Sequence, residues 1–215
     1  LIKENLNFID LGLCDYNVTL QKQKNLWQKR LDGKISDTLI LVEHPLVFTI
    51  GQHGEKENLL VSESFLKEKN IQLYRVDRGG DITFHGPGQI IGYPIFLLNK
   101  PLIGIKRFVC DIEECLCNVL KSFNIKATTK NSYIGVWVEN KKIASIGIAI
   151  SHHVTYHGFA LNVSTDLSYF NYINPCGNKD IKMTSMEKIL NKKISMDSVK
   201  KYLKTEFLRT FSQKY

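Results

Sequence analysis

Among the five cysteines Cys176 stands apart, because in Asn174-Pro175-Cys176-Gly177 proline fixes the approach of the chain and glycine leaves the thiol open. A loop thiol so presented can act as a nucleophile if a positive neighbour favours the thiolate. Lys142 is a candidate for that neighbour, since it heads the run Ile143, Ala144, Ser145, Ile146, Gly147 of small and apolar residues. Each residue also has a plain alternative: an exposed thiol with no partner, and a solvated hairpin lysine. Cys110, Cys115 and Cys117 share a helical segment with Asp111, Glu113 and Glu114, whose carboxylates disfavour a thiolate. They are poor nucleophiles, and Cys14 has no motif around it.

The segment Arg78-Gly79-Gly80-Asp81-Ile82-Thr83-Phe84-His85-Gly86-Pro87-Gly88-Gln89 is unusually rich in glycine, which implies unusual dihedrals or backbone held close to a ligand. It matches neither GxGxxG nor a P-loop, and Pro87 removes an N–H that a phosphate cradle needs. The competing reading is two tight turns of a β-hairpin. His152, His153 and His157 suggest zinc, but Val154, Thr155, Tyr156 and Phe159 favour a strand. Residues four apart on a strand are about 13 Å from each other, too far for one metal. Alternation places Thr155, His157, Phe159 and Leu161 on one face, where His157 is either a hydrogen-bonded core residue or part of a site.

These residues need a frame. Tyr16, Leu20, Trp27 and Leu31 recur at helical spacing, closed by Gly33, and Thr38 to Val42 reads as a buried strand broken by His44-Pro45. Val47 to Ile50 continues extended to the turn Gly51 to Gly54, a short helix spans Ser62 to Lys69, and a strand runs from Ile71 to Val76. Another strand, Ile90 to Leu98, carries Pro94, which suggests an edge or a bulge. The clearest helix is Ile105 to Phe123, with Phe108, Ile112, Leu116, Val119 and Leu120 on one stripe. Ile134 to Val138 and Lys142 to Ile150 form a hairpin around Glu139-Asn140, and Val154 to Val163 is a further strand. After a loop from Asp166 to Lys182, helical pattern returns at Ser185 to Leu190 and beyond Ser195, with Val199, Leu203 and Phe207 as the last apolar face. Strands in the middle with helices around them predict a single α+β domain over residues 1–215, a mixed β-sheet flanked by helices.

Composition agrees with an ordinary globular chain: 215 residues, 43% hydrophobic, 23% charged, with no low-complexity tract. No apolar run reaches the roughly 20 residues of a membrane span, and Leu1 to Asn5 lack a secretory h-region, so the expectation is a cytoplasmic protein. The net charge is +8, yet only five of the 29 basic residues are arginine and the basic runs are no longer than pairs. That pattern argues against a nucleic-acid reader and fits either solvated lysine or steering of acidic protein partners.

Taken together, Arg78-Gly79-Gly80 through Thr83 with His85-Gly86-Pro87-Gly88-Gln89, Lys142-Ile143 with Ile146-Gly147, His157-Gly158-Phe159-Ala160-Leu161-Asn162, and Asn174-Pro175-Cys176-Gly177 resemble the octanoyltransferases of lipoate biosynthesis, the lipoate-protein ligase B family. The resemblance runs from about Leu39 to Leu190, with no departure at a motif position. It implies a fold similar to the class II synthetase-like catalytic domains of biotin and lipoate ligases. It also implies transfer of an octanoyl or lipoyl group from acyl carrier protein to a lysine ε-amine. The acceptors it implies are lipoyl domains of 2-oxoacid dehydrogenase complexes and the glycine cleavage H protein. By the same analogy Cys176 carries the acyl thioester and Lys142 is its acid/base partner. The implied substrate site comprises Arg78, Gly79, Gly80, Asp81, Ile82, Thr83, Phe84, His85, Ser145, Ile146, Gly147, Gly158, Phe159 and Ala160. No metal or cofactor is implied, nor a nucleic-acid or membrane partner. Thioester exchange is nearly isoenergetic and amide formation is downhill, so no ATP is needed. Backbone N–H groups around Gly79-Gly80 or Gly147 are the expected oxyanion donors. An ATP-dependent lipoate or biotin ligase and a non-catalytic acyl-binding thiol protein are the competing functions.

Overall fold

The computed structural model describes residues 6–98, 104–131 and 133–211, so the N-terminal residues read above for a leader lie outside the described residues. Two sheets organise the chain. The larger runs β1 (Leu6–Leu13), β2 (Asp37–Glu43), β6 (Gln89–Ile95), β10 (Val154–Asn162), β9 (Lys141–Ser151), β8 (Tyr133–Val138), β7 (Thr128–Lys130), with β11 (Lys182–Met183) also paired to β9. It is mixed: β1 lies parallel to β2 and β11 parallel to β9, while the other ladders are antiparallel. The smaller sheet has the order β4 (Gln72–Arg75), β3 (Val47–Ile50), β5 (Ile82–His85).

The helices cover the larger sheet on both faces, which explains why β2 and β6 are buried along nearly their whole length. On one face α3 (Ile105–Ser122) and α5 (Met196–Phe211) pack Phe108, Ile112, Leu116, Val199, Leu203 and Phe207 against Leu39, Phe159 and Leu161. On the other face lies α1 (Tyr16–Leu31), whose buried residues are Tyr16, Thr19 and Gln23, while Leu31 is exposed. The apolar spacing placed this helix correctly but misread its inner face. Asp15 caps it by accepting from the Asn17 and Val18 N–H groups. Behind the small sheet, α2 (Glu63–Glu68), capped by Ser62, helps enclose a second core around Phe48, Ile82, Phe84 and Phe170. The short helix α4 (Met186–Leu190), capped by Ser185, precedes α5.

Three expectations change. Strands β5 and β6 belong to different sheets, so the glycine-rich segment is not a hairpin; Gly86-Pro87-Gly88 carries the chain from one sheet to the other. Pro94 lies on a central strand, and the β6–β10 ladder is interrupted over residues 93–96, the position where a missing donor is tolerated. His152 and His153 both have positive φ, 47° and 63°, and make the two-residue turn between β9 and β10. Among the described residues no helix is long and apolar enough to cross a membrane.

Candidate active site

The turn bearing Cys176 meets the strand bearing Lys142. Lys142 Nζ donates to Cys176 Sγ at 3.2 Å, although the two are 34 residues apart. Lys142 is 3% exposed, whereas Cys176 is exposed. Cys176 has φ 58° and ψ 25°, a left-handed conformation that costs a non-glycine residue about 1 kcal/mol or more. The loop is held by a polar clamp. Asn174 N–H donates to the Asn58 carbonyl (2.8 Å), Asn58 Nδ2 donates to Asp81 Oδ2 (2.7 Å), and Asp81 Oδ1 accepts from Ile82 N–H (2.6 Å).

Lys142 is aimed by its neighbours on β8. The β8–β9 ladder shifts register between Val136 and Trp137, a bulge beside the lysine. Gly135, at φ +127°, leaves the slot through which the lysine stem runs: a Cβ there would lie 2.5 Å from Lys142 Cε and 2.5 Å from the Ala144 carbonyl. The ammonium lies 5.5 Å from the centre of the Trp137 ring, within cation–π range. Glu113 on α3 accepts from Gly135 N–H at 2.7 Å and interacts electrostatically with Lys142; burial raises its carboxyl pKa, which the Gly135 bond and Lys142 oppose. Gly135, Trp137 and Glu113 escaped the sequence reading, because nothing in their local spacing ties them to Lys142.

Cys176 also lines a narrow cavity at the junction of the two sheets. Its wall includes Arg78, Gly79, Gly80, Asp81, Ile82, Thr83 and His85 from the glycine-rich segment, Ser145, Ile146 and Gly147 from β9, and Gly158, Phe159 and Ala160 from β10. Phe84 is not among them. It is 1% exposed and stacks on Tyr169 in the second core, because alternation along β5 sends it to the face opposite Thr83 and His85. Arg78, 8% exposed, donates to the Thr49 carbonyl and hydroxyl and to the Gly79 carbonyl, and forms no carboxylate ion pair among the described residues. A buried guanidinium whose favourable charge interactions with Asp81 and Cys176 are not direct ion pairs raises the potential of the cavity it lines.

Neutral histidines back this wall. Burial pushes His44 down to about 4 and His85 down to about 3. As neutral rings, His44 Nδ1–H donates to the Cys14 carbonyl while Nε2 accepts from Tyr93 Oη, and His85 Nδ1–H donates to Gln89 Oε1. His157 does not share the face of Phe159 and Leu161. Its φ of 55° turns it onto the cavity wall, where Nε2 lies 2.8 Å from Asp77 Oδ1 and its N–H donates to Gln23. Burial lowers the His157 pKa, so the ring is a neutral donor to Asp77. That bond in turn holds the Asp77 carboxyl well below the usual range.

The helical thiols fall outside the site. Burial lifts the thiols of Cys115 and Cys117 to about 12 and about 11. Among the described residues no cluster of histidine, cysteine and carboxylate groups could hold a metal. The Gly79 N–H is committed to the Ile148 carbonyl at 3.1 Å, which removes it from the proposed oxyanion donors. Gly158 lines the cavity and also permits close packing of β10 on β6, since a Cβ there would lie 1.9 Å from the Gly92 carbonyl. A second, larger cleft of about 850 Å³ also opens on Cys176 and Lys142, rimmed by the exposed side chains of Ile105, Tyr133 and Ile134. Cys176 thus sits in a wall common to two spaces, with Lys142 on the side of the larger cleft.

Residues 15–208 match the family described as the lipoyl protein ligase A/B catalytic domain. The chain is 46% identical to an octanoyltransferase of Alkaliphilus metalliredigens over 97% of its own length and 96% of that protein's. It is 49% identical to an octanoyltransferase of Dictyoglomus turgidum over 88% of this chain and 80% of that one. Among solved structures, a lipoate protein ligase of Thermoplasma acidophilum superposes with a TM-score of 0.73 at 16% identity, covering 95% of this chain and 84% of the other. Biotin protein ligase from Aquifex aeolicus reaches a TM-score of 0.51 at 16% identity, over 97% of this chain and 71% of its own. These two likenesses show the α+β fold predicted for this chain. With nearly its whole length aligned to enzymes of one name, the chain belongs to the octanoyltransferases of the lipoyl protein ligase A/B catalytic-domain family.

Proposed function

We propose that this octanoyltransferase is a cytoplasmic enzyme that takes its acyl group from an acyl carrier protein and passes it through Cys176 to a lysine of a lipoyl domain or of the glycine cleavage H protein. The observation that carries the proposal is the 3.2 Å contact of Lys142 Nζ with Cys176 Sγ, the sulfur lying where the cavity and the cleft adjoin. As an ammonium–thiolate pair the two residues are ready for acyl transfer. The sulfur attacks the donor thioester carbonyl, a C–S bond forms, and the carrier's sulfur leaves with the proton of the Lys142 ammonium. The acceptor amine then attacks the Cys176 thioester, neutral Lys142 takes the amine's proton, and the C–S bond breaks to restore the starting pair. Both half-reactions pass through a tetrahedral oxyanion. Gly80, whose N–H makes no backbone bond among the described residues and which borders both spaces, is the remaining glycine of the Gly79-Gly80 pair that can serve as donor. The buried Arg78 guanidinium adds favourable potential. An acceptor lipoyl domain is consistent with the lipoylation system of Thermoplasma acidophilum, in which a ligase of this fold serves an E2 lipoyl domain.

The test is intact-mass analysis after mixing the enzyme with octanoyl carrier protein. One hydroxylamine-labile octanoyl adduct is expected, absent in Cys176→Ser and formed more slowly in Lys142→Ala. An adduct on Cys110, Cys115 or Cys117, or turnover that needs ATP and free octanoate and survives Cys176→Ala, would overturn the assignment.

A further inference from the structure

On the far side of the loop bearing Cys176 lies a third groove, which Cys176 itself does not line. Its wall contains Asn174 and Pro175, the residues immediately before the nucleophile, and four lysines: Lys141, Lys179, Lys182 and Lys188. All four are exposed, and no aspartate or glutamate lines the groove. None of them forms an ion pair among the described residues, where the lysine pairs are those of Lys34, Lys56 and Lys200. The backbone fixes this grouping. Lys141 and Lys142 are consecutive on β9 and point to opposite faces, so the strand that turns Lys142 inward to the sulfur turns Lys141 outward into the groove. Strand β11 pairs Lys182 directly with Lys141, bringing two like charges side by side. Like charges opposite each other destabilise a ladder, so the arrangement is costly unless an anionic surface is to be met there.

We infer that this lysine groove is the docking surface for the acidic body of the donor carrier protein, an inference that rests on the carrier-to-Cys176 reading above. Reach separates the donor from the acceptor. A carrier presents its acyl group on a long flexible prosthetic arm, so its body can dock behind the loop while the arm passes around Pro175 to the sulfur. An acceptor lysine has only its own four-carbon stem and must enter the cleft that opens directly on Sγ. Charge in the groove therefore acts on capture of the donor and leaves the acyl-transfer steps unchanged.

The experiment uses the full chain carrying Lys179→Glu and Lys188→Glu, which lie off the strand that bears Lys142. Acylation is followed by intact mass with two donors, octanoyl carrier protein and the small thioester octanoyl-N-acetylcysteamine, which has no protein body to dock. The expected result is a KM for the carrier raised roughly tenfold, a shallower fall of kcat/KM with salt, and an unchanged rate with the small thioester. The KM for a lipoyl-domain acceptor, measured on preacylated enzyme, stays as in the wild type. An unchanged carrier KM overturns the inference, as does a rise confined to the acceptor KM or an equal fall with both donors. If the wild-type enzyme takes octanoyl from the small thioester but not from the carrier, the donor reading itself fails, a result distinct from any behaviour of the variant.

Discussion

Gly135→Ala tests the aiming of Lys142 without touching either reactive atom. The added Cβ would sit 2.5 Å from Lys142 Cε and 2.5 Å from the Ala144 carbonyl, so about 1 Å of movement is needed to restore ordinary contact distances. The carbonyl belongs to β9, paired on both sides and buried at Ala144, and yields less readily than the lysine stem. The lysine therefore moves, and its ammonium leaves the sulfur. A displacement of this size at a reacting centre costs on the order of 100-fold in rate. The residual clash and the alanine at φ +127° lower stability by about 1–3 kcal/mol, enough to drop the thermal midpoint by several degrees. The assay is the rate of the hydroxylamine-labile adduct at saturating donor, alongside iodoacetamide labelling of Cys176. Both should fall, and Gly135→Ala in a Lys142→Ala background should cost no further rate, since the glycine acts through the lysine. A folded Gly135→Ala enzyme with wild-type acylation, or a full additional loss in the double variant, would refute the reasoning.

Other expectations concern the cavity and the clamp. Arg78→Gln should lower kcat for acylation roughly 10- to 100-fold, because a buried guanidinium in the cavity wall is replaced by a neutral group; single-turnover kinetics check this, and an unchanged kcat would exclude a catalytic part for its charge. Asn58→Ala unties the Cys176 loop from Asp81 and should slow adduct formation about tenfold, with the loop's backbone amides exchanging faster with solvent; unaltered exchange would show the clamp to be dispensable. For stability, His44 and His85 are held neutral at about 4 and about 3. The unfolded chain binds protons on them first as pH falls below about 6.5, so each removes stability from there down to its folded value, with a slope approaching roughly 1.4 kcal/mol per pH unit. Urea midpoints should therefore fall steadily from pH 7 to pH 5, and a flat profile would mean that the rings are charged or exposed when folded.

Much of the scaffold was legible because it rests on periodicity. The stripe of α3 and the apolar face of α5 are buried where spacing placed them, and Ser62 and Ser185 cap their helices. Proximity in sequence misled at the glycine-rich segment, where neighbouring strands entered different sheets. The inner face of α1 was hidden because it is partly polar: Gln23 is buried to receive the His157 N–H, and no hydropathy pattern announces a buried amide. The same limit applies to the site. Residue type marked Cys176 and Lys142, and glycine content marked the cavity wall. The parts that hold them, Asn58 and Gly135 above all, act through contacts made by distant elements; alternation along β5 groups Phe84 with Ile82, which still borders the cavity, and it is the stack on Tyr169 that takes Phe84 away.

The bulge beside Lys142 gives the short turn at Glu139 and Asn140 an importance out of proportion to its size. Side chains on a strand change sides with every residue, so one amino acid deleted from that turn, if absorbed by sliding β9, would present Ile143 to the sulfur and swing Lys142 into the outer groove. Shortening this hairpin therefore disarms the sulfur, and the tip of an otherwise ordinary surface loop acts as the gauge block against which the reactive pair is set.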